Sequence, residues 1–240
     1  GAIQDAAAVG RVCGEYGIPF ALDAAQTAGH WEIDFEAMGL SALSVPGHKG
    51  LMGPSGIGAL LLSPGFAKGL SPLVTGGTGS ASDTERQPAY MPDRFESGTP
   101  NLPGIYGLQA SVDFVLETGV EALRRREEEL TGLLLDGLRG IPQIRLAGPE
   151  GKDHRAGVVS IDFLREDNAE AAFRLEQEFG ILTRCGLHCA PSAHKTLGTF
   201  PQGTVRFSVG WFTTPEEVSA AVDAVRKISA GGQQLAFAPA

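Results

Sequence analysis

The chain is poor in cysteine, with only Cys13, Cys185 and Cys189 among its 240 residues. Three cysteines are too few for a disulfide framework, so a reducing, cytoplasmic setting is expected. No apolar stretch approaches the roughly 20 residues of a membrane span, and no signal-peptide pattern opens the sequence. Basic residues are scarce too: 19 against 28 acidic ones give a formal net charge of −9. Without a basic run to track a phosphate backbone, nucleic acid is not expected as a partner, and neither is a membrane. An initiating Met is also lacking, and helical-looking sequence begins directly after Gly1-Ala2-Ile3-Gln4. The expectation is a piece of a longer protein. Its 42% hydrophobic and 20% charged content is that of a soluble globular chain, long enough for one large or two modest domains.

Strand and helix signals alternate through the first half. Residues 3–16 carry apolar positions at helical spacing and stop at Gly17, and 18–22 is a short β-type run. Residues 34–38 read as a short helix closed by Gly39, 40–45 as a strand, and 57–62 as another strand after the Gly53-Pro54-Ser55-Gly56 turn. This rhythm predicts an α/β fold with a doubly wound layer, its strands buried on both faces. Ligands of such sheets gather at the carboxyl ends of strands, where Asp23 and the loop before Lys49 fall.

Two groups at those ends carry chemistry. Lys49, pressed between glycines in Gly47-His48-Lys49-Gly50 after an apolar run, is expected to be desolvated and partly neutral, the state that forms a Schiff base. Asp23, in Asp23-Ala24-Ala25-Gln26, is what a pyridinium nitrogen needs as partner. Taken singly, Lys49 reads as a surface lysine and Asp23 as a helix cap. Together they point to a pyridoxal phosphate enzyme.

Residues 73–103 form a long polar loop framed by Gly76-Gly77-Thr78-Gly79-Ser80 and Gly98-Thr99-Pro100-Asn101, a length usually functional or disordered. Helices are expected at 105–116 and 120–138, the second with Leu123, Leu130, Leu134 and Leu138 on one stripe. Its pairs Glu121/Arg125 and Arg124/Glu128 mark a solvated face. A second α/β unit follows, with strands at 144–146, 158–163, 181–184 and 204–209, helices at 169–179 and 215–228, and a frayed tail at 231–240. The domain boundary is placed between residues 1–118 and 119–240.

The second unit holds Arg184-Cys185-Gly186-Leu187-His188-Cys189-Ala190-Pro191, then His194 and Arg206. A cysteine beside a histidine and near arginines sits in a positive field that favours the nucleophilic thiolate. Buried structural cysteines are one alternative. Zinc is another, although adjacent His188 and Cys189 point apart on extended backbone. Pro191 suggests a bend that exposes Cys189, whereas Cys13 is assigned to the core of the first helix.

Five segments in order, Asp23-x-x-Gln26, Gly47-His48-Lys49, Arg94-Phe95-Glu96-Ser97-Gly98-Thr99-Pro100-Asn101, Arg184 to Ala190 and Val205-Arg206-Phe207-Ser208, resemble the cysteine desulfurases of the class V aminotransferase fold. The likeness is greatest to the branch that includes selenocysteine lyases, and it runs from about residue 3 to 228. It implies a fold type I, pyridoxal 5'-phosphate-dependent enzyme, with a large doubly wound domain and a smaller C-terminal α/β domain. That enzyme converts L-cysteine to L-alanine and passes the sulfur, as a persulfide, to an acceptor protein for iron–sulfur cluster, thiocofactor or selenium metabolism.

The resemblance further implies roles. Lys49 holds the cofactor and moves the Cα proton, Asp23 binds the ring nitrogen, Gln26 the phenolic oxygen and His48 the phosphate. Gly98 and Thr99 reach the phosphate of a neighbouring subunit, hence a homodimer. Arg206, with Arg184 nearby, clamps the substrate carboxylate, and Cys189 attacks the substrate sulfur.

Some positions depart from that family. Pro46 stands where many relatives have a phosphate-binding Ser or Thr, and Cys185 where they often have Thr. The family's amino-terminal phosphate turn and ring-stacking histidine have no counterpart here, so the cofactor site of this piece alone is expected to be incomplete. A selenocysteine lyase or another β-eliminating enzyme shares every motif, and a non-catalytic dimerising or metal-binding module is the alternative outside enzymes.

Overall fold

The computed structural model describes residues 1–81 and 83–231. The chain divides into two compact units: Asp5–Glu121, and the described part of Ala122–Ala240 together with Gly1–Gln4.

In the unit Asp5–Glu121, α1 (Ala6–Glu15) starts where the Asp5 carboxylate accepts the Ala8 N–H at 2.9 Å, satisfying an orphan donor of the first turn. Of this helix only Gly10 is buried, because its bare Cα lies on the Met38 carbonyl where a Cβ would collide. Cys13, assigned to the core, is only half-buried, since Val9 and Val12 beside it are exposed. The run at 18–22 contributes only its end to β1 (Ala21–Asp23), Ile18 being exposed. β1 runs parallel to β2 (Ala42–Pro46), which pairs antiparallel with β3 (Gly58–Leu62) in the order β1-β2-β3.

Two expectations for this sheet need correction. Residues 34–38 make a single capped turn rather than a helix: the Asp34 carboxylate accepts the Glu36 and Ala37 N–H groups and its carbonyl the Met38 N–H at 3.0 Å, and Gly39, left-handed at φ 65°, ends the turn at once. Nor are the strands buried on both faces: Leu60 and Leu61 of the edge strand β3 are 59% and 45% exposed. What core there is joins Ala24, Leu40 and Leu43 to Phe20, Leu22, Ile33 and Val45. The short α2 (Pro64–Gly69) escaped the sequence reading, its six residues being too few to display a period. α3 (Leu102–Thr118) is longer than expected because Asn101 caps it, accepting the Gly104 N–H at 3.1 Å.

The other unit contains all but the first two residues of α4 (Val120–Arg139), then β4 (Ile144–Ala147), β5 (Val158–Phe163), α5 (Asn168–Phe179), β6 (Arg184–Gly186), α6 (Pro191–Leu197), β7 (Thr204–Ser208) and α7 (Pro215–Gly231). Its sheet has the order β4-β5-β7-β6 and every pairing is antiparallel. Strand alternation sends Val159, Ile161, Phe163, Val205 and Phe207 to one face, where they pack with Leu130, Leu134 and Leu138 of α4, Leu175 of α5, and Val225 and Ile228 of α7. Each such side chain contributes roughly 1.5–3 kcal/mol. The same alternation leaves Arg184, Thr204, Arg206 and Ser160 on the opposite face.

β6 starts later than the run at 181–184 suggested. Gly180, left-handed with φ of 68°, ends α5, and the Ile181 N–H closes back onto the Leu175 carbonyl at 2.9 Å. Residue 181 thus belongs to a helix cap. The charge run of α4 is not wholly solvated either. Arg124 and Glu128 pair at 3.0 Å as expected, but Glu127 turns inward and accepts the Gly157 N–H. Of the expected frayed tail, Gly231 closes α7 and residues 232–240 lie outside the described residues. No helix among the described residues is long and apolar enough to cross a membrane.

Candidate active site

The residues expected from the sequence to form a site fall into two groups, one in each unit. In the first, an open cleft of about 510 Å³ is lined by Asp23, Ser44, Pro46, His48 and Lys49, with Gly56 and Gly58 across from them. The sheet creates this grouping. Asp23 is the last residue of β1 and stands opposite Ser44 in the parallel register. Ser44 and Pro46 share one face of β2 at two-residue spacing, and His48 and Lys49 follow in the turn that ends the strand. Ser44 was missed by the sequence reading, although this alternation could have found it. A carboxylate, an imidazole and a primary amine on one open cleft suit a ligand with a cationic ring nitrogen, an anionic group and a carbonyl.

Lys49 itself is exposed, not desolvated as expected, because the cleft is open on this side. Its position is fixed by backbone instead. The Gly53 N–H donates to the Gly47 carbonyl at 2.7 Å and the Met52 N–H to the Lys49 carbonyl at 2.8 Å, making a closed turn in which Met52 is left-handed at φ 57°. On the far side Gly50 and Gly29 meet bare Cα to backbone: a Cβ on Gly29, at φ 95°, would strike the Gly50 carbonyl, and one on Gly50 would strike the Ala28 carbonyl and the His30 ring. The His30 Nε2 bonds the Gln26 carbonyl at 2.9 Å. The turn after Asp23 is thereby clamped to the loop that carries Lys49.

Gln26 does not line the cleft; it is exposed on that turn. Gly98 and Thr99 also stand outside the cleft, exposed in the long loop. There the Gly98 N–H is already donated to the Gly77 carbonyl at 2.7 Å. Further stitching comes from Gln87, which accepts the Gly76 N–H at 3.3 Å and donates to the Asp93 carbonyl at 3.0 Å. Arg94 holds the Leu70 carbonyl.

The second group sits where β6 and β7 pair. Arg184 lies directly across from Arg206, and Ser160 of β5 flanks Arg206 on its other side. Cys185 falls on the opposite, core face beside Val205, and burial, then the Asp167 charge, push its thiol up from the ordinary value. Half-buried on that face, it differs from the exposed Cys189.

After β6 the chain turns back on itself through Leu187–Ala190, where the Ala190 N–H donates to the Leu187 carbonyl at 2.8 Å. Both central residues are left-handed, His188 at φ 50° and Cys189 at φ 61°. For side-chain-bearing residues each such conformation costs about 1–2 kcal/mol, so neighbours must hold it. They do so in two ways. Gly203 packs on the Gly186 backbone so closely that a Cβ on Gly203 would collide with it. The His188 Nε2 bonds the Thr204 carbonyl at 3.0 Å and Oγ1 at 3.1 Å. Pro191 then opens α6, which suits a residue with no N–H at the first helical position.

The bend leaves Cys189 exposed with its Sγ 3.9 Å from the Arg184 guanidinium. Arg206 also feels the sulfur: burial, then Arg184, push the guanidinium down from its ordinary value, and Cys189 opposes this. His188 is pushed below its ordinary value by burial first and then by Arg206, with smaller contributions from His194 and Arg184, against an upward pull from Thr204. His188 and Cys189 point to different partners, Thr204 and Arg184, so they do not present a shared pair of metal ligands.

A family profile described as aminotransferase class-V matches residues 1–221. The "probable cysteine desulfurase" of Methanothermobacter thermautotrophicus is 33% identical over 236 residues, covering 97% of this chain and 58% of the relative. That of Pyrococcus abyssi is 35% identical over 221 residues, covering 91% and 54%. Among solved structures, the apo cysteine desulfurase of Thermococcus onnurineus superposes with a TM-score of 0.89 at 32% identity, covering 96% of this chain and 57% of that one. The cysteine desulfurase CsdA of Escherichia coli gives 0.83 at 27%, covering 93% and 55%. The chain thus spans a little over half the length of these relatives, and the α/β fold read from its sequence is theirs. With both units, the Lys49 cleft and the Cys189 bend inside the matched residues, the chain belongs to the aminotransferase class-V family.

Proposed function

We propose that this chain is the part of a pyridoxal 5'-phosphate-dependent cysteine desulfurase that carries the cofactor lysine and the nucleophilic cysteine. The observation that carries this reading is the exposed Cys189 thiol on a left-handed bend, 3.9 Å from Arg184 and within the field of Arg206. Many amino acid reactions need a lysine, an acid and a carboxylate-binding arginine. Sulfur abstraction alone also needs a presented thiolate.

When bound, pyridoxal phosphate supplies an electron-accepting ring conjugated to the substrate Cα. In the cleft, Lys49 would hold it, Asp23 would keep a proton on the ring nitrogen and His48 would donate to the phosphate. Gln26, lying outside the cleft, would have to turn inward to reach the ring. Because Pro46 offers no hydroxyl, the phosphate contact expected from that position is lost here. The amine of Lys49, freed by the substrate, takes the proton from Cα and later returns one. Arg206, with Arg184 opposite, binds the carboxylate of L-cysteine through guanidinium geometry suited to two oxygens. The Cys189 thiolate attacks the substrate sulfur, forming an S–S bond as the C–S bond breaks. The electron pair stays with Cβ, which gains a proton, so L-alanine leaves and Cys189 holds the persulfide for an acceptor protein.

The homodimer belongs to the same reading. The exposed Thr99 would complete a partner subunit's phosphate site, since the Gly98 N–H is committed to Gly77. Ultracentrifugation that found a cofactor-loaded, fully active monomer would overturn this part. The central test is Cys189→Ser. Sulfide release from L-cysteine should be abolished while the cofactor spectrum is retained, and selenocysteine turnover should fall less. Normal turnover of L-cysteine by the variant would refute the reading, as would a persulfide found by mass spectrometry only on Cys185.

A further inference from the structure

The ring of His188 bonds Thr204, and Thr204 and Arg206 are two residues apart on the same face of β7. A carbonyl can only accept, so the Nε2 facing the Thr204 carbonyl carries the proton. In the neutral ring that makes Nδ1 a bare acceptor. This Nδ1 is buried and has no hydrogen-bond partner, and neither does the buried Nε–H of Arg206. One orphan can only accept and the other can only donate: the first is on a ring tied to Thr204, and the second is on Arg206, two residues along the same face of β7. Buried groups left in this state cost about 1–3 kcal/mol each, which the two could relieve in each other.

We propose that His188 is a positioning residue for Arg206, its Nδ1 accepting the Arg206 Nε–H when the guanidinium closes on a carboxylate. The inference rests on the reading of Arg206 as the carboxylate-binding residue. It also extends that reading. His188 is one half of the left-handed pair that presents Cys189, so carboxylate capture and thiol presentation share one ring. The low proton affinity of His188, beside Arg206, Arg184 and His194, keeps Nδ1 free to accept. Ordering Arg206 through Nε fixes the plane of its remaining N–H groups, as two-oxygen recognition requires.

Asparagine and glutamine separate the two nitrogens of the ring. His188→Asn keeps an acceptor near the Nδ1 position but loses the Thr204 tether, whereas His188→Gln keeps the tether and loses that acceptor. The readout needs no cofactor. Alkylation of Cys189 in the full chain is followed by mass spectrometry with anionic iodoacetate and neutral iodoacetamide. The rate ratio of the two reports carboxylate capture beside the thiol. His188→Gln should lower the ratio about tenfold, the worth of one hydrogen bond to a charged group. His188→Asn should leave it close to that of the unsubstituted chain. An unchanged ratio in His188→Gln would overturn the proposal. So would an equal fall in both variants, since His188 would then act only as a scaffold.

Should either variant fail to fold, the unsubstituted chain decides. With 15N-labelled arginine and added L-alanine, the Arg206 Nε–H, assigned by Arg206→Lys, should become slow to exchange. Rapid exchange throughout would overturn the proposal. Loss of desulfurase activity alone would bear on the proposed function and leave this alkylation ratio untouched.

Discussion

Arg184 and Arg206 face one another across adjacent antiparallel strands, two guanidiniums at paired positions of the ladder. Like charges so placed destabilise a sheet, and an arriving carboxylate removes the repulsion. Arg206→Ala should therefore leave thermal stability unchanged or raise it by about 0.2–1 kcal/mol, while, on the proposed function, L-cysteine turnover by the complete enzyme collapses. Calorimetry together with a turnover assay checks both. A marked loss of stability would mean that the pair is structural.

The contact between Gly29 and Gly50 sets the distance between Asp23 and Lys49, because neither position has room for a Cβ. Gly50→Ala should cost at least about 1 kcal/mol and weaken retention of added pyridoxal phosphate, measured by absorbance after gel filtration. Gly14→Ala is the control. A Cβ added there would meet nothing beyond its own helix within 4 Å, and an alanine in a helix should stabilise by about 0.5–1 kcal/mol. Equal behaviour of the two variants would refute the clamp.

Lys49 stands in the same cleft as Asp23 and His48. After incubation with pyridoxal phosphate and borohydride reduction, peptide mapping should place the adduct on Lys49. Finding it on Lys68 or Lys195 would refute the assignment.

Folding lowers the proton affinity of His188, so the unfolded chain binds the proton more tightly. Stability from this residue is present above the unfolded value of about 6.5 and is lost as pH falls below it. Denaturant midpoints of the unsubstituted chain should fall more steeply below that pH than those of His188→Gln. Parallel pH profiles would show that the buried ring is not charged on unfolding.

The candidate site residues could be picked out along the chain because they lie in short segments. Asp23, Gly47-His48-Lys49 and Arg184 to Ala190 are local, and the periods of α4 and β5 follow from one face being apolar. Local rules also account for some failures. The segment 34–38 stopped after one turn because Gly39 is left-handed, and Ile181 went to a helix cap because Gly180 could adopt a left-handed conformation.

What no segment could state is which distant residues face each other. The parallel register alone put Ser44 beside Asp23, and the antiparallel one put Arg206 between Arg184 and Ser160. Cys185 and Cys189 are equivalent on composition. The pleat turns one thiol to the core, and a left-handed bend braced by Thr204 turns the other outward. The sequence by itself determined which candidate groups are present and the alternation of elements, since both depend on residue type and spacing. Only the tertiary structure decided their facing, because register and burial depend on pairings between residues far apart in the chain.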